Sequence, residues 1–185
     1  MGLLGLMVLS VVLLGALGAS LEDDFEAQQQ LTEIEASGEP GADESSPWRY
    51  SEEEDRMRNA TTYFAGVRSK NTVNFDFPYS GAQRMTIQLR KSPAFGDDVI
   101  FYIEQGQILC GIYDCVGTIS FDGQTEKLTL APSADHETTV AFAKYPGAIA
   151  QKIKNADEVV VEMSFYQEGN RQFFFDTTGL EWSHF

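Results

Sequence analysis

A chain of 185 residues with 43% hydrophobic content is long enough for one domain with a proper core, and too short for two once an N-terminal segment is set aside. Its formal net charge of -15 excludes a protein that gains affinity by neutralising phosphates, so nucleic acid is not an expected partner. Nine of its 28 acidic residues fall between Leu21 and Pro47, where there is no Lys or Arg, which leaves 19 acidic against 13 basic residues elsewhere.

Met1 to Ser20 is an apolar run followed by small residues, the shape of a secretory signal with cleavage after Gly18 or Ala19. The expectation is export, with residues 1–19 as signal peptide. The n-region has no Lys or Arg, and the run approaches the ~17 residues a spanning helix needs, so an uncleaved anchor over residues 3–19 is the alternative. In either case the acidic segment that follows favours placing the rest of the chain across the membrane. The domain is then periplasmic or extracellular, or held outside the inner membrane by that anchor. Leu17-Gly18-Ala19-Ser20 has the form of a bacterial lipoprotein signal, but Ser20 stands where the lipid-accepting cysteine belongs, so no lipid anchor is expected. Residues 20–47 are acidic, poor in large apolar side chains and end in Gly38-Glu39-Pro40-Gly41-Ala42-Asp43-Glu44-Ser45-Ser46-Pro47, a composition that reads as a disordered tether.

From Trp48 to Phe185 the pattern becomes short alternating segments broken by turn residues, which predicts a single mainly β domain. Ser51 with Glu54 three residues on matches a capping box and predicts a short helix over residues 51–58. Val73, Phe75 and Phe77 alternate up to the turn Pro78-Tyr79-Ser80-Gly81, and Met85, Ile87 and Leu89 alternate after it, so the two segments read as a hairpin. Residues 98–109 are apolar on both faces for part of their length, as in a central strand covered on both sides. Ile119 and Phe121 lead through Asp122-Gly123, a hairpin turn signal, to Leu128 and Leu130. Val140 and Phe142 mark a further strand. Pro146 opens the one clear helix, residues 146–156, with Ile149, Ile153 and Ala156 on one face and Lys152 and Lys154 near its C-terminal end. Val159, Val161, Met163 and Phe165 alternate again, and Gly169-Asn170 turns the chain into Phe173 and Phe175. About nine antiparallel strands and one helix predict a β-sandwich or a strongly curved sheet with the helix packed across one end or face.

Candidate chemistry is sparse. Cys110 and Cys115, the only cysteines, lie within Gly106–Gly123, and in an exported protein the pair reads as a disulfide, whose small loop stabilises by roughly 2 kcal/mol. The spacing is not that of a redox motif, and a metal site lacks ligands with only His136 and His184 available. Ser133, Asp135 and His136 invite a triad reading, but near-adjacent residues rarely converge on one atom and no G-x-S-x-G elbow is present. His136 therefore reads as a polar loop residue, and the penultimate His184 as mobile. Asp97-Asp98, or Asp122 with Asp176, could supply a glycosidase pair, although separation is not legible in sequence. Gly106–Gly111 has the gap of a phosphate loop without the following Lys-Ser/Thr. Asn59-Ala60-Thr61 is a glycosylation sequon. Tyr166 and Phe174 fall opposite the inward-facing aromatic set and are candidates for a helix contact or a partner patch.

Several segments together, Trp48-Arg49-Tyr50, Phe75-Asp76-Phe77-Pro78-Tyr79-Ser80-Gly81, Gly106-Gln107 with Cys110 and Cys115, Phe121-Asp122-Gly123, and Phe165-Tyr166-Gln167-Glu168-Gly169-Asn170 leading to Phe175-Asp176 and Gly179-Leu180-Glu181-Trp182, carry a resemblance. The chain resembles a group of short exported bacterial envelope proteins, some with lipoprotein signals, that have no assigned activity. The resemblance implies a bacterial envelope setting. The expected function is a non-catalytic binding module, with no cofactor, for an envelope or extracellular protein or glycan. The alternatives are a small periplasmic hydrolase using His136 with a carboxylate, or a purely structural, stress-related envelope protein.

Overall fold

The alternating segments of the C-terminal three quarters pair into eleven strands and one helix in a computed structural model, which describes residues 46–111 and 115–185. The signal or anchor (1–19), nearly all of the tether (20–47) and the tip of the cysteine turn (112–114) lie outside the described residues. The order is β1 (Trp48–Asp55), β2 (Ala60–Arg68), β3 (Val73–Phe75), β4 (Gly81–Gln83), β5 (Met85–Ser92), β6 (Gly96–Ile103), β7 (Cys115–Phe121), β8 (Gln124–Pro132), β9 (Val140–Ala143), α1 (Pro146–Lys154), β10 (Glu158–Phe165) and β11 (Gly169–Asp176). Nine strands form one antiparallel sheet in the order β1-β2-β5-β6-β9-β8-β7-β10-β11, and β3 pairs with β4 in a small separate ladder. Of the two architectures expected, the curved sheet is the one present.

The curvature follows from which side chains the ladder aligns. Val67, Ile87, Phe101 and Ala141 are register partners across β2, β5, β6 and β9, and Ile119, Val161 and Phe173 across β7, β10 and β11. All are at most 1% exposed and belong to a single apolar cluster, so one face of the whole sheet turns inward on itself. The sheet is not closed by a ladder. Its ends are nonetheless brought together: the Trp48 indole donates to the Thr177 carbonyl, and Lys70 N donates to the Phe174 carbonyl at 2.7 Å. Asn71 completes this seam, its Oδ1 accepting from Phe174 N and its Nδ2 donating to the Gln172 carbonyl, each at 2.9 Å.

Pro146 sits at the start of α1, and the helix ends at Lys154 with Lys152 and Lys154 in its last turn, an end that suits positive charge; Lys152 Nζ pairs with the Glu126 carboxylate and Lys154 Nζ donates to the Trp182 carbonyl at 2.8 Å. Its Ile149, Ala150 and Ile153 are buried in the sheet's core, and the helix lies against β6 and β9. The small Ala141 and Ala143 on the inner face of β9 leave room for it. Ile100, on the outer face of β6, is only 6% exposed, which makes that strand covered on both faces in its middle as the sequence predicts.

Three local expectations are corrected. Residues 51–55 continue β1, with every residue from Trp48 to Asp55 in register with β2, and residues 56–59 form its turn; there is no helix. Backbone pairing along a whole strand outweighs a capping box that no apolar helical stripe supports. Val73–Phe75 does not pair with Met85–Leu89 but with Gly81–Gln83, while Met85–Ser92 takes its place between β2 and β6. β3 ends at Phe75, where Asp76 N donates to the Glu168 carboxylate at 2.7 Å, and Phe77 beyond it is 88% exposed. The β10–β11 turn is Tyr166–Glu168, with β11 already begun at Gly169, and Gln167 and Gly169 supply the positive φ it requires.

Candidate functional site

β6 and β7 are consecutive in the chain but have two strands, β9 and β8, between them in the sheet, so the connection between them must travel along one end of the fold. It turns at Gly106 with φ 132, where a Cβ would lie 2.6 Å from the Phe75 ring. From there it runs beside the end of β10: Tyr166 N donates to the Gln107 carbonyl and Leu109 N to the Ser164 carbonyl, both at 2.9 Å. Ile108 is buried beneath, with its N–H donated to the Thr138 carbonyl at 2.9 Å. The expected disulfide is present: Cys110 and Cys115 are bonded and pair across an antiparallel bridge, Cys115 being 2% exposed at the start of β7.

The β8–β9 loop faces this segment, and between them lies a cleft of about 480 Å³ lined by Gln107, Leu109, Cys110, Pro132, His136 and Val140 among others. The loop is built from its own polar side chains. The Ser133 hydroxyl donates to Asp135 Oδ1, Glu137 N donates to the same oxygen at 3.4 Å, and His136 N donates to the Ser133 carbonyl at 3.2 Å. Glu137 Oε1 accepts from Thr139 N at 3.3 Å and from the Thr139 hydroxyl at 2.8 Å. The Ser133 hydroxyl first, then the Glu137 N–H, hold the Asp135 carboxyl below the ordinary aspartate value, with His136 adding a smaller effect. His136 itself has φ 62 and an exposed side chain at the cleft wall. Ser133 is thus turned to Asp135 and away from any His136-centred relay, so the three residues form a loop brace.

The other candidates are tied up in local bonds, although Asp122 and Asp176 are brought to either side of Glu158, which pairs with both. Asp97 lies 2.7 Å from Lys91 Nζ and Asp98 accepts from Arg90 Nε at 2.9 Å, each paired with the cross-strand cation that its register provides. Asp122 has φ 46 in the Asp122-Gly123 turn and its Oδ1 accepts from the N–H groups of Asp157 and Glu158 at 3.0 and 2.9 Å. Asp176 accepts from the Thr178 hydroxyl at 2.7 Å, which lowers its pKa. Asn59 of the sequon sits exposed in the β1–β2 turn with φ 48. Among the described residues no group of His, Cys, Asp and Glu could hold a metal ion.

The reading of His184 as a mobile end residue is overturned. Its ring stacks on Tyr63 with centroids 4.2 Å apart and meets Trp182 edge-on at 4.6 Å, because Leu180 and Trp182 anchor the C-terminal residues in the core. Tyr166 and Phe174 are exposed as expected, at 49% and 38%, but the helix lies elsewhere, against β6 and β9. Sequence reasoning missed the cleft, Asn71, and Glu168, a nearly buried carboxylate that accepts from Asp76 N and pairs with Arg171 at 3.0 Å. Each depends on chain segments distant in sequence, and no local pattern marks them. Compared with protein-family models, curated proteins and solved structures, the chain matches none.

Proposed function

We propose that this chain is an exported bacterial envelope component whose β-domain acts as a binding module, receiving a segment of an envelope or extracellular protein or a glycan in the cleft beside the disulfide. The observation that supports this reading is the division of labour in the cleft wall. Ser133, Asp135 and Glu137 are committed to hydrogen bonds within their own loop, while Leu109, Pro132 and Val140 present apolar surface to the opening. Such a mixture of apolar lining and few polar groups suits recognition. The domain is placed in the periplasm or outside the cell, through a cleaved signal or an anchor over residues 3–19.

The test is methyl-detected NMR of the exported protein titrated with peptidoglycan fragments, then with neutral oligosaccharides and extended peptides. Saturable shifts at Ile108, Leu109 and Val140, abolished by Ala134→Trp, are expected. Shifts confined to other methyls, or none with any of the three probe classes, would remove the reading. His136 on the cleft wall favours a second reading, a hydrolase. That reading requires turnover of an activated ester that His136→Ala abolishes, whereas the binding module shows no turnover above buffer and keeps its methyl shifts in the same variant.

A further inference from the structure

The two edges of the nine-stranded sheet are treated differently. The outer edge of β11 is sealed by Lys70 and Asn71, which bond to both the N–H and the C=O of Phe174 and to the Gln172 carbonyl. The outer edge of β1 is not: among the described residues no backbone hydrogen bond joins residues 49–54 to anything but β2. The C-terminal residues reach β1 only at side chains, the Trp48 indole to the Thr177 carbonyl and Glu181 N to the Tyr50 hydroxyl at 2.8 Å. An eight-residue strand with an open edge is a template for another strand, and natural sheets normally blunt such edges.

Charge decides which strand can use it. Glu52, Glu53 and Glu54 are exposed along the edge; Glu54 has Arg56 at 3.5 Å and Asp55 has Arg58 at 2.7 Å, but both arginines lie in the turn, and Glu52 and Glu53 have no cation partner among the described residues. A second copy would bring up another acidic strand, in which Arg49 alone stands against Glu52, Glu53, Glu54 and Asp55. Residues 21–47 of this chain, with nine acidic residues and no Lys or Arg, would be repelled in the same way. We propose that β1 is a docking edge for an extended, lysine- or arginine-bearing segment of a different protein, which adds to the sheet as a tenth strand. Main-chain hydrogen bonds would give the affinity, and Glu52 to Glu54 would select the basic sequence. This surface is separate from the cleft, and either can fail without the other.

The probe is an eight-residue peptide alternating Thr and Lys, with a control of equal charge in which proline replaces alternate threonines. Both are added to the full exported chain, followed by amide hydrogen exchange and chemical shifts. Slowed exchange confined to residues 49–55, no binding of the proline control, and about tenfold weaker binding to a Glu52→Lys/Glu53→Lys variant are expected. The proposal is overturned if the control binds equally, if protection maps elsewhere, or if the peptide does not bind. It is also overturned if alternate β1 amides are already protected on both sides in the free protein, which would mean that the tether or a second copy occupies the edge.

Discussion

Gly117 stands in the middle of β7 with no turn to make, and the reason for it is space: a Cβ there would lie 2.7 Å from the Glu162 carbonyl oxygen on β10 and 3.4 Å from Met163 Cγ. The contact at 2.7 Å is backbone, which cannot swing away, so Gly117→Ala should destabilise by about 1–3 kcal/mol. Urea unfolding should show a lowered midpoint at unchanged slope; an unchanged midpoint would mean that β7 and β10 separate freely. A second residue-scale effect concerns pH. Asp55, Asp135 and Asp176 are all held below the ordinary value of 3.8, chiefly by the Arg58 side chain, the Ser133 hydroxyl and the Thr178 hydroxyl respectively. Folded-state values depressed in this way contribute stability that is present above the unfolded pKa and is lost as pH falls through the folded one. These contributions are therefore constant from pH 7 to about 5 and decline below about 4. Carboxyl NMR titration should place Asp135 below a normal aspartate, and Ser133→Ala should move it upward without shifting Asp176.

At the scale of elements, the cysteine turn and the β11 seam do the joining that the ladder does not. Cutting the Cys110–Cys115 link as Cys110→Ser/Cys115→Ala releases a short loop, for which the chain-entropy model gives about 2 kcal/mol, and it also removes a sulfur from a site 2% exposed. A fall in melting temperature of roughly 6 °C is expected in calorimetry for the wild type in strong reductant, and a somewhat larger one for the double variant, which also loses the buried sulfur. An unmoved transition would show that neighbouring hydrogen bonds at Ile108 and Leu109 suffice to hold the turn. Asn71→Ala leaves Phe174 N and the Gln172 carbonyl without their partner and should cost about 1 kcal/mol. The diagnostic is local: amide exchange at Phe174 should accelerate well beyond that at Phe173, which faces the core on the same strand.

For the whole molecule, the C-terminal residues act as a strap. Leu180 and Trp182 are buried at 9% and 4%, Lys154 of α1 donates to the Trp182 carbonyl at 2.8 Å, and Tyr63 of β2 stacks on His184. The strap thus ties the helix to the open end of the sheet. Trp182→Ala should cost about 3–5 kcal/mol, a large share of the stability of a domain this size. Trp182→Phe should cost far less, since the buried indole N–H has no partner among the described residues and phenylalanine removes it. Equal losses for the two variants in denaturant titration would show that the ring's size, and not its burial as such, sets the strength of the strap.

Much of this fold could be read from local pattern. The alternation of Met85 to Leu89 and of Val159 to Phe165, the Asp122-Gly123 turn, Pro146 opening a helix and the paired cysteines all express physics that acts within a dozen residues, and each appears in the structure where the sequence puts it. The failures have a shared cause. Ser51 and Glu54 satisfy a local helix signal that β2 overrides, and Val73–Phe75 pairs with Gly81–Gln83 and ends where Glu168, some 92 residues away, accepts from the next N–H. Whether nine strands would stack as a sandwich or curl on themselves was equally outside local reach. It is settled by the apolar faces of all nine strands gathering into one cluster, with Trp48 and Asn71 bonding to the β11 end; among the described residues the outer edge of β1 then stays open while Lys70 and Asn71 cap that of β11. Periodicity dictates which face of a strand is buried; only the closure of distant contacts decides what the strands enclose and which edge remains to meet another chain.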